Sequence, residues 1–301
     1  MIVIPPLALE PAHLLACSIP EVDATMGEKP WEARVWAEGE ILAVPGTQLR
    51  YKCLAPVSQP PSVSPQYWQL LGHTNRWEMF RHLSNDATVA ASPLTFTLAP
   101  MRRFNAFFLY GVDAHHVTVV VTVGGVEVRR VEKNLIARRS RTWSDYYFGG
   151  QYTEPTVVLH DLPPYSGAQI TVTLTRAGGP VRVEQAAVGM STWLGYATWA
   201  PRNDALNFSD MDRDRWGRIV LDPIKSAPTL RVRVVMPKNN ATKYLRVRQQ
   251  LDAVPALWAA LDGDTTDGYA EALSVFGIYR RMPLEPSNVQ EATGDIELES
   301  L

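Results

Sequence analysis

The chain has 301 residues, enough for two or three hydrophobic cores, and its 46% hydrophobic and 20% charged residues are ordinary for a folded domain. A formal net charge of -2 excludes a general electrostatic grip on nucleic acid. The two cysteines, Cys17 and Cys53, exclude a disulfide framework and suit folding in a reducing cytosol.

Residues 1–20 read as an apolar N-terminal arm punctuated by Pro5, Pro6, Pro11 and Pro20. The start lacks the basic n-region of a secretory signal, and no apolar run approaches the roughly 20 residues of a membrane span. Residues 21–72 read as a short Trp-rich module. Its bulky members are Trp31, Trp36, Tyr51 and Trp68, with strands expected over Glu38–Val44 and Leu49–Leu54 and a Pro/Ser loop over Ser58–Pro65. The stretch from Trp68 to Phe80 then sets two tryptophans and a phenylalanine around a Gly72-His73-Thr74-Asn75 turn, the pattern of a packed joint between modules.

Residues 73–190 carry short alternating runs at Leu94–Leu98, Val117–Val123, Val126–Val131, Thr156–Leu159, Gln169–Thr175 and Pro180–Val188, and an apolar run at Asn105–Tyr110. Gly124-Gly125 between two such runs is a hairpin signal. Together they predict an antiparallel β-sandwich, jelly-roll-like. An aromatic loop with Trp143, Tyr146, Tyr147, Phe148 and Tyr152 interrupts it, either as a lid or as a binding surface. Residues 191–301 predict a C-terminal α+β domain. Strands are expected over Thr229–Met236, Ser274–Tyr279 and Asp295–Leu298, with a helix from Asn239–Ala241 to about Ala253 whose stripe is Tyr244, Leu245, Leu251 and Val254. The fold class is mainly β, with at least one helix near the C-terminus.

The chemistry is sparse. No nucleophile elbow, zinc-protease, phosphate-loop or paired Cys-x-x-Cys motif is present. His115-His116 sit next to each other before a strand, where neighbours point to opposite faces. Asp210, Asp212 and Asp214 alternate as calcium ligands do, but Arg215 stands where a calcium loop has glycine, and Arg213 and Arg215 neutralise the acids. A solvated hairpin turn with local ion pairs is the preferred reading. Glu38 with Glu40, and Asp262 with Asp264, are close in sequence without the separation that a glycosidase pair requires. No catalytic residue and no cofactor is therefore expected. The 23 arginines against 6 lysines suit protein interfaces, and a GC-rich coding strand would give the same bias.

Three blocks carry a resemblance. They are Trp68–Phe80, with its turn and Arg76-Trp77-Glu78-Met79-Phe80; Asp161–Ala168 followed by Ile170–Leu174; and the tail from Phe276–Tyr279 through Ile296–Leu301. In this order they resemble uncharacterised structural proteins of tailed-phage virions, some labelled carbohydrate-binding. The Trp-rich module also resembles small chitin-binding-like modules, departing from them in having Trp36-Ala37-Glu38 before Gly39. The resemblance implies a structural component of a phage tail, in the baseplate, collar or fibre-attachment region. It would be made in the bacterial cytoplasm and built into the virion, with copies of itself and other tail proteins as partners. Trp143, Tyr146, Tyr147, Phe148 and Tyr152 are its candidate interface.

The alternative is an adhesion protein that stacks host glycan on Trp31, Trp36, Tyr51 and Trp68, although a module this small also needs such aromatics for its own core. A third reading, a glycan-degrading enzyme, has no catalytic constellation to support it. Neither nucleic acid nor membrane insertion is expected.

Overall fold

The computed structural model describes residues 1–82, 86–137, 142–148, 152–198, 200–213, 215–224, 226–260 and 269–301. The chain is mainly β and divides into two compact units, Leu7–Val188 and Met1–Pro6 with Gly189–Leu301. The boundary expected at residue 72 does not separate compact units, because the Trp-rich module and the sandwich share one. Nor do residues 1–20 form one arm. Ile2–Ile4 is a strand of one unit and Leu14–Cys17 a strand of the other, and the apolar side chains Val3, Ile4, Leu9, Leu14 and Ile19 are all buried.

In the unit Leu7–Val188, five strands form one antiparallel sheet in the order Val126–Asn134, His116–Val123, Ala168–Thr175, Leu94–Leu98 and Leu14–Cys17. A second sheet sets Ala106–Tyr110 between Val157–Leu159 and Gln185–Gly189. Alternate residues of the first sheet, among them Phe96, Val119 and Val172, share a core with Phe107, Leu109 and Ala186 of the second. Two sheets closing on one core make a sandwich. Gly124 and Gly125 adopt φ of 57° and 82°, the two positive angles that a two-residue turn joining twisted strands requires.

The run Pro180–Val188 is two strands. Val181–Val183 pairs with Thr88–Ala90, and Gln185–Gly189 joins the second sheet. The Trp-rich module, in the same unit, has four strands in the order Glu28–Lys29, Ile41–Val44, Leu49–Cys53 and Trp68–His73, the first pair parallel.

In the other unit, the order is Thr192–Trp193, Ile2–Ile4, Ala256–Ala259, Ser274–Arg281, Glu291–Ser300, Ala227–Pro237 and Tyr196–Ala197, with Arg202–Leu206 also on Ala227–Pro237 and Glu285–Pro286 on Glu291–Ser300. Leu230, Val232, Val234 and Met236 alternate inward to meet Ile296 and Leu298. On the opposite face Arg231 pairs with Glu297 and Arg233 with Asp295, each directly across the strands. Exposed rungs of this kind fix register more than they add stability. The helix Ala241–Gln250 packs on the core through Tyr244 and Val247, and the residue that caps its end, Leu251, extends the i, i+3, i+7 line. The expected stripe is corrected: Leu245 is half-buried and Val254, past the helix end, is exposed.

Two glycines admit close approaches here. The Tyr244 hydroxyl, donating to the Pro283 carbonyl at 3.0 Å, lies 2.5 Å from where a Cβ at position 294 would stand. A Cβ at position 277 would strike the backbone of Glu299 and Ser300. Backbone yields less readily than a side chain. Gly277→Ala is therefore expected to destabilise its unit by about 2 kcal/mol, measured as earlier urea unfolding of that unit. An unchanged midpoint would show that the sheet opens there without penalty.

Candidate functional site

The Trp-rich module places its four aromatics together but uses them unequally. Trp36 is fully buried and Trp68 nearly so, in a small core with Leu42, Cys53 and Val57. Their rings meet edge to face at 5.7 Å, and Tyr51 packs on the cluster half-buried. Both indole N–H groups are satisfied internally, Trp36 donating to the Glu32 carbonyl at 3.2 Å and Trp68 to the Gln59 carbonyl at 3.1 Å. Trp31 stacks nearly parallel on Trp36 at 5.9 Å and is 37% exposed. The four aromatics are thus divided between core and rim. A buried ring has no free face for a sugar, which leaves Trp31 and the rim of Tyr51.

Arg34 lies 4.3 Å over the Trp36 ring and forks onto Glu40 with two bonds of 3.0 Å. Bonds from Arg34, Lys29 and the Ala37 N–H hold the Glu40 carboxyl down to about 2. This charge cluster fastens the turn over Trp36, and Glu40 is committed to it.

The joint after the module is more polar than its tryptophans suggest. One helical turn, Asn75–Glu78, follows the last strand, and Trp77, Met79 and Phe80 enter the sandwich core, Phe80 meeting Phe96 edge to face at 5.4 Å. Beside them Asn75 is a buried hub. Its Nδ2 donates to Asp23 at 2.6 Å and to the Val89 carbonyl at 2.8 Å, and its Oδ1 accepts from the Val89 N–H at 2.9 Å. The Asn75 N–H donates to Glu28 at 3.0 Å, and Thr88 Oγ1 bridges the Asn75 carbonyl and the Met79 N–H. Burial pushes the Asp23 carboxyl up, but bonds from Thr25 and Asn75 outweigh it and hold it below its ordinary value. These residues couple module to sandwich. The sequence carried one signal for them, the polar turn between aromatics.

Further along the same stretch of chain, burial lowers His82 to about 4, with Arg81 adding to the effect against a bond to Gln185 at 2.8 Å. The folded state keeps this ring neutral while the unfolded chain takes up a proton below about 6.5. Stability is therefore complete above that value and falls as pH drops towards 4, by about 3 kcal/mol for this one ring. His73, lowered by burial and by Arg81, adds in the same direction. Urea midpoints between pH 7 and pH 4 are expected to fall steeply for the native chain and less steeply for His82→Gln. Equal slopes would remove His82 as the source.

The remaining candidates lie on exposed elements. The aromatic loop is a short helix, Trp143–Phe148, followed by a strand Tyr152–Thr153 on Ile136–Ala137. Trp143 and Tyr147, four residues apart, stack at 6.3 Å, and Trp143, Tyr147, Phe148 and Tyr152 are 66–88% exposed. Tyr146 belongs to the helix, but its side chain lies outside the described residues.

Asp210 and Asp212 stand on a strand, Asp210–Arg213, paired with Ile219–Asp222. Asp214 lies outside the described residues, as do Asp262 and Asp264. Among the described residues no group of three His, Cys, Asp or Glu side chains converges as a metal site would, and no helix is long and apolar enough to cross a membrane. His115 accepts a bond from the Ala177 N–H at 3.1 Å, while His116 opens its strand.

The segment 202–224 was not expected as an apolar surface. Leu206, Phe208, Met211, Trp216, Ile219, Leu221 and Ile224 are 44–72% exposed along it. Set against known protein families, curated proteins and solved structures, the chain matches none.

Proposed function

We propose that this chain is a structural component of a phage tail, in the baseplate, collar or fibre-attachment region. It joins copies of itself and other tail proteins through surfaces on its β units, and makes and breaks no covalent bond. The three sequence blocks that resemble virion proteins support the tail assignment. One observation carries the joining role: seven large apolar side chains stand exposed along the segment 202–224. Large apolar side chains left exposed this densely within one segment mark a candidate interaction site. The exposed helix Trp143–Phe148 is a second element of the same kind, and aromatics are the side chains that dominate interface energetics.

The test is the composition of the particle. Virions purified from the host that carries this gene, and washed in high salt, should contain the chain in fixed ratio to the major tail proteins by quantitative peptide mass spectrometry. Its absence from washed particles would refute the proposal. Glycan adhesion has one observation in its favour, the exposed Trp31 ring stacked on Trp36. Binding of the full chain to a glycan array, abolished by Trp31→Ala without loss of folding, would support it. Silence on the array would remove it.

A further inference from the structure

The strands Asp210–Arg213 and Ile219–Asp222 form a two-stranded sheet of their own, reached through Arg202–Leu206 and the start of Ala227–Pro237, which also pair. Side chains directly opposite in a ladder share a face, and neighbours alternate. The register Met211 with Leu221 and Arg213 with Ile219 therefore gives one face Met211, Leu221 and Ile219, with Arg213 towards the tip. The register Asp210 with Asp222 gives the other face two carboxylates directly opposed, with Asp212 beside them. All of these residues are exposed.

Such a ribbon is poorly stabilised by itself. An isolated two-stranded hairpin is marginal in water, an exposed apolar face adds nothing, and like charges directly opposed destabilise the ladder. The charge is also split along its length. The base carries Asp210, Asp212 and Asp222, while the tip is net basic by sequence, with Arg213, Arg215 and Arg218 against Asp214 alone, and Arg215 lies 4.2 Å over the Trp216 ring.

We propose that this hairpin is a self-docking element whose occupant is the hairpin of a second copy of this chain, packed antiparallel through the apolar faces. Antiparallel packing covers Met211, Ile219 and Leu221 on both copies and sets each arginine tip beside the other copy's acidic base. The ribbon is only two strands wide, so an arginine side chain can reach round its edge to the carboxylates. A parallel arrangement would instead oppose tip to tip and base to base. The pattern is self-complementary in one orientation only, which is the requirement for an isologous contact. The inference rests on the assembly reading and names the partner of its most exposed surface.

The test uses the full chain and four variants in sedimentation equilibrium. The native chain is expected to self-associate. M211S/I219S/L221S should weaken association roughly hundredfold, since each truncation removes apolar area from the contact. The melting of both units should stay unchanged in that variant, because these side chains lie outside both cores. The tip reversal R213E/R215E/R218E and the base reversal D210K/D212K/D222K should each abolish self-association. An equimolar mixture of the two should associate again, as one-to-one pairs, because the acidic tip then meets the lysine base and the other tip meets an acidic base. The fourth variant, W143A/Y147A, should associate as the native chain does.

A native chain that stays monomeric at every soluble concentration overturns the inference. So does native-strength association of the apolar variant, or a mixture of the two charge reversals that remains monomeric. Such a failure leaves the tail reading intact if the chain is found in washed virions. Absence from virions defeats the tail reading whatever the association state.

Discussion

Asn75→Ala is expected to destabilise the unit Leu7–Val188 by about 4 kcal/mol, far more than loss of a polar side chain normally costs. The amide sits on three partners at once: the Asp23 carboxylate at 2.6 Å and the Val89 carbonyl and N–H at 2.8 and 2.9 Å. Truncation leaves the backbone polar groups of Val89 without these bonds and takes one donor from a carboxylate that is almost wholly buried. Leaving buried groups without partners is the expensive direction of any hydrogen-bond change. Asn75→Asp should be at least as damaging, because it sets a second carboxylate against Asp23. The measurement is hydrogen exchange of the Thr88–Ala90 strand together with urea unfolding of the full chain. Loss of protection at Val89 with an early unfolding midpoint is the expected outcome. A loss below about 1 kcal/mol would mean that water replaces the amide at no cost, against the view that this hub holds module and sandwich together.

Trp36→Ala is expected to cost the Trp-rich module about 4 kcal/mol, while Trp31→Ala costs about 1 kcal/mol or less. The asymmetry follows from position. Trp36 is at the centre of the small core, fully buried and touching Trp31, Trp68 and the Arg34 guanidinium. Truncation removes one of the two tryptophans of a five-residue core and leaves a cavity that its few neighbours cannot fill. Trp31 lies on top of it, partly in water. Loss of exchange protection across Ile41–Val44 and Leu49–Cys53 should therefore appear in Trp36→Ala and not in Trp31→Ala. Equal behaviour of the two variants would contradict the division of this aromatic cluster into core and rim.

The elements that the sequence revealed are those where alternation and burial coincide. Leu94–Leu98 and His116–Val123 stand where the pattern placed them, because each has one dry and one wet face, and the Gly124-Gly125 turn fixes the hairpin to Val126–Asn134, which has no dry face. The strand Ile2–Ile4 was not legible, since three apolar residues have no period and its partner begins at Ala256. The helix stripe was half right: Tyr244 and Leu251 face inward, but Val247 replaces the more apolar-looking Leu245, which sits off the i, i+3, i+7 line.

The polar hub was hidden for a different reason. Asp23 and Glu28 lie 52 and 47 residues from Asn75, and no local pattern joins them. The sugar-face residues were legible as aromatics but not as core or rim, a distinction that only packing makes. The hairpin within 202–224 was expected as a solvated turn, but its apolar surface was not, because sequence alone does not tell whether Met211, Ile219 and Leu221 meet the chain's own core or water.

The central claim is that this chain acts by holding neighbours in a particle. Electron microscopy of virions that carry an affinity label on the chain tests it most directly. The account predicts label at one fixed level of the tail, in several copies around the axis. Complete, infectious particles with no label anywhere on the tail would contradict it.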